Sequence, residues 1–518
     1  MSDDLDFDPL SYEELPEDRR PTLWQALVPV VGMLFFLGVG KLVFDLDPQF
    51  PLLLGIAFTG LCAMWWFDLS WRDLYDGAAD SIVMGLQAVL ILFVVYALIA
   101  SWISAGTIPA IMYYGLGVLT PKVFLPVAAI LAAVVAFAIG SSWTTAGTLG
   151  VAFIGIGHGL GIPAPMTAGA ILSGAYAGDK QSPLSDTTNL AAAATETDLF
   201  EHVDAMRIGT AIAFVVAVVA YAVLGLRAGG AIPSGQVESI RAALAGSYDV
   251  GLHVLLPLVV TFALALYGVP ALPSLGTGVF AGILTTIVFQ EAPVITTEGG
   301  FAFHSGPITH AFTVAQSGTS PSTSSDLVNN LLASSGLTGA SWVVTIVLAA
   351  LALGGMLTRS GVLAAVAHAI AARARSVGSL TATTAVTAFS MNVLAADQYI
   401  SIVVPGMTFR GLYDDFGLDS SNLSRAVEAA GTTTSAFVPW NSGGVYMAGV
   451  LGVVPIGLEV TSSGLLGFGL DVLGYAPYYF FGFLSPAILL FMGFTGWRVR
   501  TKEGVETPEP GASPDAEN

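Results

Sequence analysis

Charge is scarce in this chain. Only 10% of its 518 residues are Asp, Glu, Lys or Arg, against roughly a quarter in a soluble globular domain. That shortage excludes an ordinary water-soluble fold. Lysine is rarer still, at four residues (Lys41, Lys122, Lys180, Lys502), and the 17 bases face 37 acids, a net charge of −20. A nucleic-acid binder would carry the opposite balance. Cys62 is the sole cysteine, so no internal disulfide framework is available and a secreted, stapled domain is excluded. The six histidines lack a metal-binding spacing such as HExxH, and no glycine run ends in the GK[ST] of a phosphate loop. Nothing in the chain indicates covalent catalysis, an enzyme, or a cofactor site.

What the sequence has instead is long apolar runs. Residues 81–121, 123–178, 254–290, 376–396, 429–458 and 472–497 contain no Asp, Glu, Lys or Arg. The run 123–178 holds 56 residues, where one membrane-crossing helix needs about 20. The runs are too long and continuous for the alternating strands of a barrel, so the chain reads as an all-α polytopic membrane protein. Its hydrophobic segments number ten to thirteen. They fall near 23–43, 49–67, 80–101, 106–120, 123–140, 150–177 and 205–226, then 250–268, 275–290, 340–357, 378–396, 442–456 and 475–497. The first follows an acidic stretch and has no cleavage pattern after it, so it reads as a retained span. The domain plan is an acidic N-terminal tail (1–22), a first transmembrane half (23–228), a linker (229–249), a second half (250–497) and an acidic C-terminal tail (498–518).

The tails hold much of the excess acid, with eight acids in residues 1–20 and five in 503–518. Acid-rich, lysine-poor segments suit a cytoplasm at high salt, where counterions screen self-repulsion; the expected source is a halophile. Basic residues beside the spans place Arg19, Arg20, Arg72, Arg359, Arg373, Arg375, Arg498, Arg500 and Lys502 on the cytoplasmic side, with both termini. The stretch 291–338 has no Lys or Arg and reads as extracellular, yet counting spans from Arg227 and Arg241 puts it inside. One extra crossing at 299–317 would remove the conflict.

Two polar interruptions stand inside apolar sequence at corresponding places. One is GAILSGAYAGDKQSPLSDTTNLAAAA (169–194), the other LSRAVEAAGTTTSAFVPWNSGGVYMAGVLG (423–452). Each follows a second polar island, GSSWTTAGTLG (140–150) and MNVLAADQYIS (391–401). Broken hydrophobic segments in matching positions of two halves point to a transporter binding site. Ser182 followed by Pro183 fits a helix cap and first helical residue. Asp179, Ser185, Asp186, Thr187, Thr188 and Asn189 add many oxygens close by, a set suited to hard cations. An acid at membrane depth is costly and is a functional candidate by default. Read alone, the segment is also compatible with a polar surface loop and a capped helix. Lys180 and Arg425 are the natural ion-pair partners for Asp179 and Glu428, and the second pair reads as structural.

The stretches GSSWTTAGTLGVAFIGIGHGLGIP (140–163), SGAYAGDKQSPLSDTTNLA (173–191), NVLAADQYISIVVPGMTFR (392–410) and 423–452 resemble the NhaC family of sodium/proton antiporters, within the ion-transporter superfamily. The resemblance covers roughly residues 20–500. It implies two inverted repeats with re-entrant or broken helices and a plasma-membrane exchanger of Na⁺, with Li⁺ as a second cation, for H⁺. Related members exchange malate and lactate, so an organic-anion antiporter is the alternative, and an ion channel a more distant one. On the exchanger reading Asp186 and Asp179 take either Na⁺ or a proton. Ser182, Thr187, Asn189, Thr434, Ser435 and Asn441 supply neutral oxygens, together with Asp397; Ser141, Thr144, Lys180 and Gln398 are second choices. A carboxylate that binds one cation or the other, but not both, couples two gradients without covalent chemistry. The partners are then Na⁺, H⁺ and the lipid bilayer, with a homodimer left open and no nucleic acid.

Overall fold

The computed structural model describes residues 12–228, 235–290, 306–456 and 474–502. The fold is all-α; among the described residues only two isolated β-bridges occur. Eight helices are long and apolar enough to cross a bilayer: Leu23–Phe44, Gln49–Trp66, Leu86–Ser104, Pro121–Ile139, Leu199–Arg227, Ala271–Phe289, Gly336–Arg359 and Val377–Leu394. A ninth crossing arises if Gln236–Ser247 and Leu252–Leu266, bent by 87°, are one span.

Several expected segments take another form. The stretch 106–120 is a helix of 12 residues, Thr107–Val118. The stretch 150–177 is two pieces, Val151–Gly159 and Ala164–Asp179, because Pro163 and Pro165 can open a helix but not continue one. The stretches 442–456 and 475–497 become Ser442–Leu451 and Phe480–Thr495. The linker 229–249 contains the helix Gln236–Ser247. Of the extra crossing expected at 299–317, the described part is the 11-residue helix Pro307–Ser317, about half a bilayer long. The part at 299–305 lies outside the described residues.

The same order of broken elements occurs twice. Pro121–Ile139 starts with Pro121 at its first turn and ends at Gly140, whose φ of +73° is the left-handed conformation that glycine tolerates. Ser141 then caps a new helix by accepting from the Thr144 N–H. Next comes Ala164–Asp179, a turn, and Asp186–Ala194. In the second half Val377–Leu394 is followed by Ile400–Thr408. A helix from Ser420 then ends near Phe437, and Ser442–Leu451 follows. Each half also holds a π-helical stretch, Ala146–Gly150 and Glu428–Thr432. One residue too many per turn is costly and is found mostly at functional sites.

Small residues let these helices close up. A Cβ on Gly174 would stand 2.0 Å from the Ala129 carbonyl oxygen, and one on Gly178 would stand 2.1 Å from that of Ala133. The 164–179 helix is thus packed backbone to backbone on the 121–139 helix, and Asp179 is held at a fixed depth.

Candidate functional site

Four helix starts meet in the interior, and each has a side chain accepting from its free N–H groups. Ser141 caps the helix at 142. Ser185 caps the helix at 186 through a 3.3 Å bond from the Thr188 N–H. Asn441 accepts from the Gly443 N–H at 2.9 Å. Asp397 Oδ1 accepts from the N–H groups of Tyr399 and Ile400 at 2.8 and 3.0 Å. The cap of the 186 helix differs from expectation: it is Ser185 and not Ser182. The Ser182 hydroxyl accepts from the Leu184 N–H within the turn. The Pro183 carbonyl accepts from the Asn189 side chain at 3.0 Å, so residues 182–185 close a tight turn ahead of the helix.

The two broken segments touch. Thr187 Oγ1 donates to Glu428 Oε1 at 3.2 Å, and the hydroxyls of Tyr176 and Ser435 lie 3.4 Å apart. The Ser442 N–H donates to Ala396 O at 2.8 Å, and its hydroxyl to Asp397 Oδ2 at 3.1 Å. Trp143 stacks on Tyr446 with ring centroids 4.3 Å apart, and the Tyr446 phenol donates to Trp143 O.

Asp186 is the carboxylate that remains reachable. It is exposed, yet its Oδ2 accepts from the Tyr399 phenol at 2.8 Å and its Oδ1 from the Thr187 N–H at 2.9 Å. It lines a partly open cavity of about 260 Å³ together with Gln87, Ile91, Ser141, Leu184 and Ala271. Asp179 is buried behind it. Its Oδ2 accepts from the Ser142 N–H at 3.0 Å, while Oδ1 has no well-formed hydrogen bond, although the hydroxyls of Ser142 and Ser185 are neighbours. Glu428 is likewise buried, with Oε2 beside the Thr432 hydroxyl but without a well-formed bond to it. Thr144 Oγ1 is buried and unpartnered among the described residues.

Other expected site residues are engaged elsewhere. Asn189 spends its amide on Pro183 O and Ser185 O. Thr434 Oγ1 donates to Ala430 O and accepts from Asn392. Ser435 donates to Gln398 Oε1 at 3.0 Å. Asn441 donates to Asn392. Thr434, Ser435 and Asn441 tie the broken helices of the second half to one another, Asn189 closes its own turn, and Asp186 is linked to the second half through Tyr399. Neither expected ion pair forms. Lys180 Nζ donates to Ser485 Oγ at 2.8 Å, and Arg425 donates to Arg498 O and Asn422 Oδ1. Glu428 instead accepts from Thr187 of the first half. The histidines form no cluster with acids that could hold a metal, among the described residues.

Sequence reasoning left out Tyr399, Gln87, Tyr176 and Asn392. Tyr399 stood within a quoted polar island, and Gln87 is a lone amide in an uncharged run; those were the available signals.

A profile of the Na⁺/H⁺ antiporter family matches residues 174–497. The arginine/ornithine antiporter ArcD of Halobacterium salinarum is 52% identical over 98% of this chain and 99% of its own length. The malate-2H⁺/Na⁺-lactate antiporter of Bacillus subtilis is 34% identical over 92% of this chain and 96% of its own. The Na⁺/H⁺ antiporter NhaC of Alkalihalophilus pseudofirmus is 30% identical over 92% and 97%. With its apolar spans and paired broken helices, this multi-pass membrane chain belongs to the Na⁺/H⁺ antiporter family, alongside the members named NhaC.

Proposed function

We propose that this protein is a plasma-membrane antiporter of monovalent cations whose substrates are cationic amino acids, arginine exchanged for ornithine. The observation that carries the reading is the cavity ending at Asp186. Its volume of about 260 Å³ has room for on the order of ten waters, far more than a dehydrated Na⁺ needs and enough for an amino acid. Each Asp186 oxygen already accepts one hydrogen bond, from Thr187 or Tyr399. A carboxylate oxygen has a second lone-pair site, so a planar guanidinium can still bind both oxygens at once. Ile91, Ile139 and Leu184 offer apolar wall for the methylene stem, and Gln87 and Ser141 offer polar groups for the other end. Arginine and ornithine each bear one net positive charge, so exchanging them leaves the charge of the loaded carrier unchanged. A dicarboxylate such as malate would face the negative Asp186, which weighs against the organic-anion alternative. The relative that is 52% identical and named for this exchange supports the same reading.

A second reading is Na⁺/H⁺ exchange at the inner carboxylates. Asp179 and Glu428 have hydroxyls of Ser142, Ser185, Thr187 and Thr432 around them, oxygens of the kind that suit a small hard cation. Relatives 30% identical and named NhaC support it. Reconstitution in liposomes separates the two. Uptake of labelled arginine that requires internal ornithine establishes the first reading. Discharge of a pre-formed ΔpH by Na⁺ or Li⁺, with no arginine uptake, replaces it by the second.

A further inference from the structure

Lys180 is a full charge in an uncharged setting. Its side chain is completely buried, and among the described residues it has no carboxylate within ion-pair distance. The ammonium rests on Ser485 Oγ at 2.8 Å and lies 5.3 Å from the centre of the Phe481 ring. Ser485 in turn donates to Ala429 O at 3.1 Å, one residue past Glu428. Of the charged groups around the ammonium, Glu428 acts on it most strongly and Asp179 next. The third titratable neighbour is His202, fully buried, with neither ring nitrogen hydrogen-bonded among the described residues. Burying an ammonium without compensation is expensive, and nothing in the packing of the 164–179 helix requires a lysine at this point.

We infer that Lys180 is a resident cation that offsets Glu428 and so sets how many positive charges the carrier must load in each cycle. Among the described residues the buried carboxylates are Asp179, Asp397 and Glu428, and Asp186 lines the cavity. Asp397 is satisfied by two N–H groups and the Ser442 hydroxyl. Asp179 keeps the Ser142 N–H, and with Glu428 offset by Lys180 the carrier has one buried negative charge fewer for its load to balance. Without the lysine, Glu428 is an uncompensated buried anion, and the carrier has to take up one more cation, a proton or Na⁺, before it can move. This inference rests on the cation-exchange reading above.

The test compares Lys180→Met, Glu428→Gln and the double variant with the unaltered protein in liposomes, measuring arginine–ornithine exchange between about pH 6 and pH 8. Lys180→Met should lose at least about tenfold in exchange toward the alkaline end, where a proton no longer neutralises Glu428. Raised Na⁺ should restore part of the loss. The double variant should recover the original pH profile, which a lysine needed only for packing would not allow. An unchanged profile in Lys180→Met, or a double variant no better than the single one, overturns the inference. If the single variants do not fold, Lys180→Arg must keep the original profile, and a changed profile there overturns it equally. If the unaltered protein exchanges Na⁺ for H⁺ instead of amino acids, the substrate reading fails. The inference then falls with it, because Glu428 would itself belong to the ion site.

Discussion

The Tyr399 phenol donates a 2.8 Å hydrogen bond to Asp186 Oδ2 across a separation of 213 residues. Tyr399 is also the residue whose own N–H is held by Asp397 at 2.8 Å. The start of one broken helix in the second half is therefore tied to the start of another in the first, through one side chain and one backbone group. A shift of either half moves the carboxylate that lines the cavity.

Removing only the phenol oxygen tests that tie. Tyr399→Phe deletes a hydrogen bond to a charged acceptor, worth about 1.5–3 kcal/mol, while the ring keeps its packing. The expected result is a KM for the transported cation raised roughly tenfold or more, with expression and oligomeric behaviour unchanged. A KM within experimental error of the unaltered protein would mean that Tyr399 does not orient Asp186.

Asp186→Asn should abolish arginine–ornithine exchange. The amide oxygen can still accept from the Thr187 N–H, as Asp186 Oδ1 does at 2.9 Å, so the helix start should survive and the purified variant should elute as the unaltered protein does. Only the charge is lost. Near-normal exchange by this variant would remove Asp186 from the site.

The close helix pair sets the depth of Asp179, and it can be probed without touching a polar group. Gly178→Ala places a Cβ 2.1 Å from the Ala133 carbonyl oxygen, so the helices must separate. Overpacking of this kind costs about 1–3 kcal/mol. Tm in detergent should fall, with Gly276→Ala, whose added Cβ meets nothing within 4 Å, as the unaffected control. Equal Tm values for the two variants would show that the pair has slack.

How far the sequence carried this picture depends on range. The breaks were readable because Gly140, Ser141, Ser185 and Asn441 interrupt apolar runs with residues that end or cap helices. That the two polar stretches meet follows from the need of polar groups at membrane depth to satisfy each other; that Thr187 and Glu428 are the residues in contact was not readable. Partner choice was not readable. Arg425 and Glu428 stand three apart, a spacing that places them on one face of an α-helix, yet Arg425 turns to Arg498 O and Asn422 and Glu428 to Thr187. Asp179 and Lys180 are adjacent in sequence, which on a helix points them in different directions. Tyr399 and Gln87 carried only a weak signal, a place in a polar island and a lone amide in an uncharged run, since a tyrosine or an amide in a span is ordinary until its cavity is known. The shift of the cap from Ser182 to Ser185 is a choice between two good caps three residues apart, decided by the Asn189 bonds that close the 183–185 turn.

The most discriminating variant fills the cavity and leaves every charge in place. Ala271 begins the helix Ala271–Phe289 after Pro270 and lines the cavity that Asp186 also lines. Ala271→Phe puts an aromatic ring into a space of about 260 Å³, enough to deny an amino acid its stem site while a bare ion or a proton still passes. None of Asp179, Asp186, Lys180 or Glu428 is altered, and the first helical turn tolerates the larger side chain because the wall there is only partly buried. Arginine–ornithine exchange should drop by at least about tenfold, the effect of displacing a substrate that depends on one well-placed carboxylate. Binding of arginine, measured by calorimetry on the purified variant, should fall in parallel. Any Na⁺-dependent proton movement should be unchanged. If arginine exchange persists at the original rate, the cavity is not the amino-acid site. If proton movement collapses together with it, both activities run through the same opening, and Asp186 alone separates the substrates.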